Sequence, residues 1–197
     1  MTSTDPPSLP HLVIGGCRSG KSSHAEQLIL RLPPPYLYLA TARVLDREMA
    51  DRVEIHRRRR GPEWETIEAP LDPVPLLRQL NANGRPLLFD CITMWLTNLL
   101  LETGPASILE KVDELCRLLR GTHLPVVVVT NEVGLGIVPE NDLARAFRDL
   151  AGAANQRIAA ACRAVTWMVA GLPVPIKPGA APVQAPVPAH EITRHAG

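Results

Sequence analysis

The feature that most constrains this chain is an eight-residue segment near its start, Gly15 to Ser22, with the sequence GGCRSGKS. It matches the pattern G-x-x-x-x-G-K-[ST], in which glycines let backbone N–H groups approach phosphate oxygens at the positive end of a helix. In this pattern the lysine, Lys21, contacts the β- and γ-phosphates, and the Ser22 hydroxyl coordinates magnesium. A short apolar run, His11 to Ile14, precedes the segment, and helical spacing follows it. The segment therefore predicts the phosphate cradle of an enzyme that uses nucleoside triphosphates.

Apolar runs alternate with helical patterns along most of the chain, which predicts a single-domain α/β fold of the P-loop NTPase type. Four consecutive valines in the run from Pro125 to Thr130 are typical of a strand covered on both faces. Strands that alternate with helices imply a mostly parallel sheet, with helices on both faces and right-handed crossovers. The predicted strands cover 11–14, 36–41, 64–68, 87–90, 125–130 and 165–170, and the predicted helices lie near 25–32, 45–58, 72–84, 109–119 and 143–162.

The composition fits one globular domain. The chain has 197 residues, of which 46% are hydrophobic and 21% charged. We expect a flexible segment over 1–10, a P-loop domain over 11–177, and a flexible Pro/Ala-rich tail over 178–197. The four cysteines are far apart and form no CxxC pair, so buried thiols in a reducing compartment are expected rather than disulfides or a zinc cluster.

From the sequence we expect neither a signal peptide nor a membrane span. Residues 1–10 have no basic start followed by an apolar run. The longest uncharged apolar stretch, Ala164 to Ile176, is interrupted by Gly171, Pro173 and Pro175. A cytoplasmic location is therefore expected.

Asp90 and Thr130 to Gly134 follow predicted strands, at the edge where ligands bind in open α/β folds. Asp90 is a candidate magnesium ligand, direct or through water; the alternative is an aspartate that caps the next helix. Thr130 to Gly134 contains polar residues and glycine, which suits either a substrate loop or a plain turn.

Spacing alone leaves two roles open for His56 and two for the four arginines that follow it. Leu45, Met49, Val53 and His56 share one apolar stripe of the predicted helix, so His56 points with core-facing side chains and can be either catalytic or structural. Arg57 to Arg60 form either a solvated helix end or a clamp for phosphate, which arginine binds through two parallel N–H groups.

Several sequence segments besides the P-loop motif match those of a known family, in the same order along the chain. The chain resembles the bifunctional adenosylcobinamide kinase / adenosylcobinamide-phosphate guanylyltransferases of cobalamin biosynthesis, from about Leu12 to Lys177. The tail beyond Lys177 is additional to the family pattern. The blocks are GGCRSGKSSHAE (15–26), YLAT (38–41), LDREMADRVEIHRRRR (45–60), WETIEAP (64–70), FDCITMWLTNLL (89–100), TNEVGLGIVPEN (130–141) and RAFRDLAGAANQRIA (145–159).

The resemblance implies a RecA-like P-loop domain that assembles as a trimer and catalyses two reactions. A nucleoside triphosphate, ATP or GTP, phosphorylates adenosylcobinamide, and GTP then donates GMP to adenosylcobinamide phosphate. The family motif D-x-E-M-x-x-R-[IV]-x-x-H places the histidine that carries GMP at His56, which with Lys21 makes up the predicted catalytic pair. Ser22 and Asp90 would hold Mg²⁺. The implied nucleotide contacts are Gly15, Gly16, Cys17, Arg18, Ser19, Gly20, Lys21, Ser22, Thr41, Ala42, Arg43, Arg57, Arg58, Arg59, Arg60, Glu68 and Asp90.

Two other functions are consistent with a P-loop. One is a small-molecule kinase that performs no guanylyl transfer, with His56 packed in the helix face. The other is an ATPase that binds nucleic acid through Arg57 to Arg60. A net charge of +1 and an aromatic content of 4% argue against nucleic acid as a partner.

Overall fold

The structure, a computed structural model, describes residues 7–43, 47, 54, 58, 60–82 and 84–178. Within these residues the chain forms seven strands and five helices. The strands are β1 (His11–Gly15), β2 (Tyr36–Ala40), β3 (Trp64–Glu68), β4 (Leu87–Asp90), β5 (Val126–Asn131), β6 (Ala164–Val169) and β7 (Leu172–Pro178). The helices are α1 (Lys21–Ile29), α2 (Pro73–Leu80), α3 (Ile92–Thr103), α4 (Ile108–Gly121) and α5 (Asp142–Ala161).

One sheet contains all seven of these strands, in the order β3-β2-β4-β5-β1-β6-β7. Every neighbouring pair is parallel except β6 and β7, which are antiparallel. In the register of the sheet, Gly15 lies opposite Asn131, and Ala40 lies opposite both Asp90 and Glu68. Five strands therefore end together at one edge, and four of the predicted nucleotide-binding segments lie there.

Helices cover both faces of the sheet. Successive strand residues point to opposite faces, so Leu12 belongs to the larger hydrophobic cluster and Val13 to the smaller one. The larger cluster contains buried residues of α2, α3, α4 and α5, whereas the smaller one contains Ala25, Leu28 and Ile29 of α1. The predicted α/β fold, with a mostly parallel sheet between two helical layers, is confirmed.

Two elements were not predicted from the sequence. Helix α3 begins at Ile92 without a side-chain cap, and its apolar residues include Ile92, Trp95, Leu96 and Leu99, all fully or almost fully buried. Strand β7 contains three prolines, which argue against a strand, but prolines are tolerated at a sheet edge, where β7 lies. It ends at Pro178, one residue beyond the predicted domain boundary.

Two predicted segments, a helix and the C-terminal tail, lie largely or wholly outside the described residues. The predicted helix from Leu45 to about Arg58 lies largely outside them; Arg47, Glu54 and Arg58 are described, and each is helical. The tail lies outside them from residue 179. Cys91, Cys116 and Cys162 are buried thiols as expected, whereas Cys17 is exposed in the P-loop. In the described part of the chain, no helix is long and apolar enough to cross a membrane.

His11 is a buried histidine whose protonation opposes folding. Its Nε2 lies 2.8 Å from the Thr166 hydroxyl oxygen. Burial, and to a smaller extent the charge of His24, lower the pKa of His11 from 6.5 to about 4. Between these two pH values the unfolded chain binds a proton that the folded chain does not, so the free energy of unfolding falls as the pH falls through this range.

We therefore predict that His11→Gln, which keeps a polar side chain but cannot titrate, flattens the pH dependence of stability. As the pH is lowered from 6.5 to 4, the free energy of unfolding should decrease more steeply for the wild type than for the variant. The two slopes should differ by up to about 1.4 kcal/mol per pH unit. Urea unfolding at several pH values measures this difference. Parallel pH profiles for the two proteins would contradict the prediction.

Candidate nucleotide-binding site

The P-loop connects β1 to α1, and its shape depends on two glycines. A Cβ on Gly15 would lie 2.5 Å from the carbonyl oxygen of Met168 in β6, a distance that side-chain atoms do not tolerate. Gly20 has φ of +92°, in the left-handed region that favours glycine. The Gly171 N–H, in the turn between β6 and β7, donates to the Ser19 carbonyl at 3.1 Å. The loop is thus supported from behind by the β6–β7 hairpin.

The helix that follows the loop presents its N-terminus without a side-chain cap. Its N-cap is Gly20, and its first turn contains no acidic residue. The first backbone N–H groups of a helix have no partner within the helix, and together they carry partial positive charge. Beside them, a Cβ on Gly16 would meet no atom within 4 Å. Loop and helix therefore form a concave set of donors suited to phosphate oxygens.

Lys21 lies inside this cradle and is only 7% exposed. Its Nζ donates to the Gly16 carbonyl oxygen at 2.6 Å. Burial lowers the pKa of Lys21, while the neighbouring Cys91 and Asp90 act in the opposite direction. A buried ammonium close to a carboxylate and at the N-terminus of a helix is well placed to bind a polyphosphate.

Asp90 ends β4 and faces the same edge. Its Oδ2 accepts a hydrogen bond from the Tyr38 hydroxyl at 3.2 Å. The N-cap of α3 is Cys91 and forms no side-chain capping bond, so Asp90 does not cap that helix. Of the two roles considered from sequence, the capping role is not observed.

The segment after β2 is fixed by buried polar contacts. Thr41 is fully buried; its hydroxyl accepts from the Cys91 N–H at 3.0 Å and donates to the Cys91 carbonyl at 2.8 Å. Asn98 of α3 donates to the carbonyls of Thr41 and Pro70 at 2.7 and 2.9 Å. Arg43 forms an ion pair with Glu102 at 2.5 Å. The Thr41 side chain thus holds β2 to β4, so a nucleotide contact by this segment would come from its backbone, Ala42 or Arg43.

The two described arginines of the predicted clamp face different ways. Arg58 pairs with Glu54 at 2.8 Å on an exposed helical face. Arg60 lies over the Tyr38 ring, with its guanidinium carbon 3.3 Å from the ring centroid. Its Nη1 is buried and has no hydrogen-bond partner among the described residues. Arg60 therefore lies at the edge of the sheet where the predicted site is, whereas Arg58 lies on a solvent-exposed face of a helix. His56, Arg57 and Arg59 lie outside the described residues.

The segment after β5 is held against the P-loop. The Glu132 N–H donates to the Gly15 carbonyl at 3.0 Å, and the Asn131 side chain donates to the Thr93 hydroxyl at 2.6 Å. Arg148 of α5 donates to the Gly134 carbonyl at 2.8 Å. The predicted loop from Thr130 to Gly134 is therefore at the edge of the site with fixed geometry. Glu68, at the end of β3, is exposed and lies farther along the same edge.

Tyr38 and Asn98 are site residues that sequence reasoning missed. In the sequence Tyr38 is an ordinary aromatic residue of a predicted strand. Asn98 lies in an apolar run that shows neither a cap nor the spacing of an amphipathic helix. The only signal for Asn98 is an amide among leucines, since buried amides are usually hydrogen-bonded.

The donor set at this edge fits Mg²⁺. A serine hydroxyl and a carboxylate are hard oxygen ligands, and Mg²⁺ is commonly held by one or two protein groups together with substrate phosphates and water. Among the described residues, no group of three or more His, Cys, Asp or Glu side chains could hold a metal ion. Ser22 and Asp90 therefore suit a metal that arrives with a nucleotide better than one held by protein alone.

Comparisons with known proteins identify the family of this chain. The family model described as cobinamide kinase / cobinamide phosphate guanyltransferase matches residues 11–176. The chain is 44% identical to the bifunctional adenosylcobalamin biosynthesis protein CobP of Pseudomonas aeruginosa, covering 84% of this chain and 96% of that protein. It is 44% and 42% identical to the bifunctional adenosylcobalamin biosynthesis proteins CobU of Salmonella typhimurium and Escherichia coli, covering 84% of this chain and 98% of each. This chain therefore belongs to the cobinamide kinase / cobinamide phosphate guanyltransferase family.

Proposed function

We propose that this chain phosphorylates adenosylcobinamide and then transfers GMP from GTP to adenosylcobinamide phosphate. The observation that carries the proposal is a P-loop whose lysine lies with Asp90 at the edge of the sheet, in a chain that matches its family from β1 to β7. Magnesium, when bound with the nucleotide, would neutralise phosphate charge and would be held by Ser22 and Asp90.

In the first reaction the substrate hydroxyl attacks the γ-phosphorus of the triphosphate. The bond between this phosphorus and the bridging oxygen breaks, the diphosphate leaves, and the hydroxyl proton is released. Lys21 and the N–H groups of the P-loop stabilise the charge on the phosphoryl oxygens, which is the main contribution of a protein to such transfers.

In the second reaction the His56 imidazole attacks the α-phosphorus of GTP. Pyrophosphate leaves and a P–N bond forms; an oxygen of adenosylcobinamide phosphate then attacks the same phosphorus and releases the histidine. Neutral histidine is abundant near pH 7, because its ordinary pKa is about 6.5. Covalent catalysis divides one difficult displacement into two easier ones.

The position of Arg60 supports this role for His56. Arg60 contacts Tyr38, which in turn bonds Asp90, so the chain reaches the site four residues after His56. Four residues span at most about 14 Å even when fully extended. Chain length therefore allows His56 to reach a nucleotide bound at this edge, as the family motif implies.

We also propose, on the family resemblance alone, that the protein is a homotrimer, and, as expected from the sequence, that it is located in the cytoplasm. Arg57 to Arg60, Ala42, Arg43 and Glu68 are proposed as further nucleotide contacts. Light scattering coupled to size-exclusion chromatography measures the oligomeric state directly, and a mass other than that of three chains would refute the trimer.

We predict that Lys21→Ala lowers the rate of adenosylcobinamide phosphorylation by roughly 100-fold or more, because it removes a cation aimed at the transferred phosphate. The melting temperature should change little, because among the described residues the ammonium donates only to a loop carbonyl. The matched control is Lys111→Ala, since Lys111 pairs with Asp72 on an exposed surface. Unchanged turnover of Lys21→Ala at saturating nucleotide would contradict the assignment.

We predict that α-labelled GTP labels the protein through a phosphoramidate that is labile in acid and comparatively stable in base. γ-Labelled GTP should leave no such label. His56→Ala and His56→Asn should abolish both the labelled band and GMP transfer, while phosphorylation persists at least in part, because Lys21 and Ser22 remain. His123→Ala is the control, since His123 is exposed and far in sequence from the motif.

The result for His56 separates the bifunctional enzyme from a simple kinase. Labelled His56→Ala protein, or wild-type protein that phosphorylates adenosylcobinamide but takes up no label, would refute the covalent role.

We predict that deletion of residues 179–197 leaves both activities and the melting temperature nearly unchanged. The deleted segment follows β7 and lies beyond the family match, which ends at residue 176. The cut should spare Lys177, whose ammonium bonds the carbonyls of Ala159 and Cys162. A drop of many degrees in the melting temperature would show that the tail contributes to the folded protein.

A further inference from the structure

We infer that Tyr38 is a positioning residue of the nucleotide site, which orients Asp90 with its hydroxyl and holds Arg60 with its ring. The inference rests on the proposed function, in which Asp90 and Arg60 contact the nucleotide and its magnesium. Tyr38 is the third residue of β2 and is only 8% exposed. It packs in the smaller hydrophobic cluster, on the face of the sheet that carries α1. Its side chain is therefore on the same side of the sheet as the helix that follows the P-loop.

The hydroxyl of Tyr38 fixes one oxygen of the Asp90 carboxylate. The donor–acceptor distance of 3.2 Å is somewhat longer than the usual range for an O–H···O bond. A tyrosine hydroxyl is protonated at neutral pH, so it acts as the donor to the Asp90 carboxylate. A carboxylate with one oxygen held in this way has a defined direction for its other oxygen, which is what a metal ligand requires.

The ring of Tyr38 holds the guanidinium of Arg60. The guanidinium carbon is 3.3 Å from the ring centroid, within the range of a close cation–π contact. Stacking uses the flat face of the guanidinium and leaves its N–H groups, which lie in the plane, available to acceptors. Arginine stacked on an aromatic ring therefore remains able to bind phosphate through two N–H groups.

One nitrogen of the Arg60 guanidinium indicates which kind of ligand Tyr38 and Arg60 would bind. Nη1 of Arg60 is buried and has no partner among the described residues. A buried, charged donor without an acceptor is costly, so its position favours the arrival of an anionic oxygen. The nucleotide phosphates supply such oxygens, and Asp90, at the hydroxyl of Tyr38, would contact the metal that accompanies them. Tyr38 thus links the group that meets the metal to the group that meets the phosphate.

The chain offers a matched control two residues earlier on the same strand. Tyr36 is also buried in the smaller cluster, at 5% exposure. Its hydroxyl bonds the Leu32 carbonyl at 2.9 Å, and its ring packs on Trp64 with centroids 4.9 Å apart, away from Asp90. Tyr36→Phe therefore removes one hydroxyl and one hydrogen bond from the same strand and face, but not from the site.

The experiment measures the affinity for a non-hydrolysable GTP analogue by calorimetry, with Mg²⁺ and with EDTA. Tyr38→Phe keeps the ring over Arg60 and loses the bond to Asp90, so with Mg²⁺ it should weaken binding by roughly threefold to tenfold, and clearly less with EDTA. Tyr38→Leu also loses the stacking on Arg60, so it should weaken binding under both conditions. Tyr36→Phe should change neither affinity, although it should lower the melting temperature about as much as Tyr38→Phe does.

Two outcomes would overturn the inference. One is a Tyr38→Phe variant whose affinity with Mg²⁺ equals that of the wild type. The other is a Tyr36→Phe variant that shifts the affinity as much, which would make the effect one of general packing. Because binding of the analogue requires neither His56 nor a corrinoid, failure of guanylyl transfer in the wild type would be recognised separately.

Discussion

The close approach of β1 to β6 at the end of β1 is the constraint on which the nucleotide site depends. Only a residue without a Cβ can stand at Gly15, because the Met168 carbonyl already occupies the space. The same glycine accepts the Glu132 N–H through its carbonyl, so the start of the loop is held between β5 and β6. With its start fixed there and its rear supported by Gly171, the loop turns into α1 at one position relative to Asp90.

Buried polar side chains, rather than apolar packing, fix the other segments at this edge. Asn98 joins the segments after β2 and β3, and Thr41 joins the ends of β2 and β4. Asn155 accepts from the Thr130 hydroxyl and donates to the Asn131 carbonyl, which fixes the end of β5 to α5. A buried polar group that loses its partner is costly, so these contacts specify single conformations for loops that apolar contacts alone would leave variable.

The sequence predicts the fold and the P-loop well, because both depend on signals that are local. A glycine-rich motif between a strand and a helix is contained in about 20 residues, and the alternation of elements implies a parallel sheet.

Local signals fail for elements and residues whose structure or role is determined by contacts with distant parts of the chain. Helix α3 is buried on several sides and has no cap, and β7 contains prolines that only an edge position permits. Tyr38 and Asn98 act through partners that are distant in sequence, 52 residues for the Tyr38–Asp90 bond and 57 for the Asn98–Thr41 bond. His56 is ambiguous from spacing, since an apolar stripe suits a packed histidine as well as a nucleophile; within the sequence, the family pattern is what favours catalysis.

The prolines of β7 have a consequence for how this protein meets other chains. Pro173 and Pro175 are two residues apart, so their nitrogen atoms point to the same side of the strand. If that side faced β6, the ladder between the two strands would lose two donors, so the ring nitrogens are expected to face outward. The outer edge of β7 then presents carbonyl groups but lacks two of the N–H groups with which an added strand would form hydrogen bonds. The sheet is therefore protected from growth by strand addition at the end next to the phosphate-binding loop, although Leu172, Val174 and Ile176 are exposed there. Contacts between copies at this end would have to use side chains rather than a continued sheet.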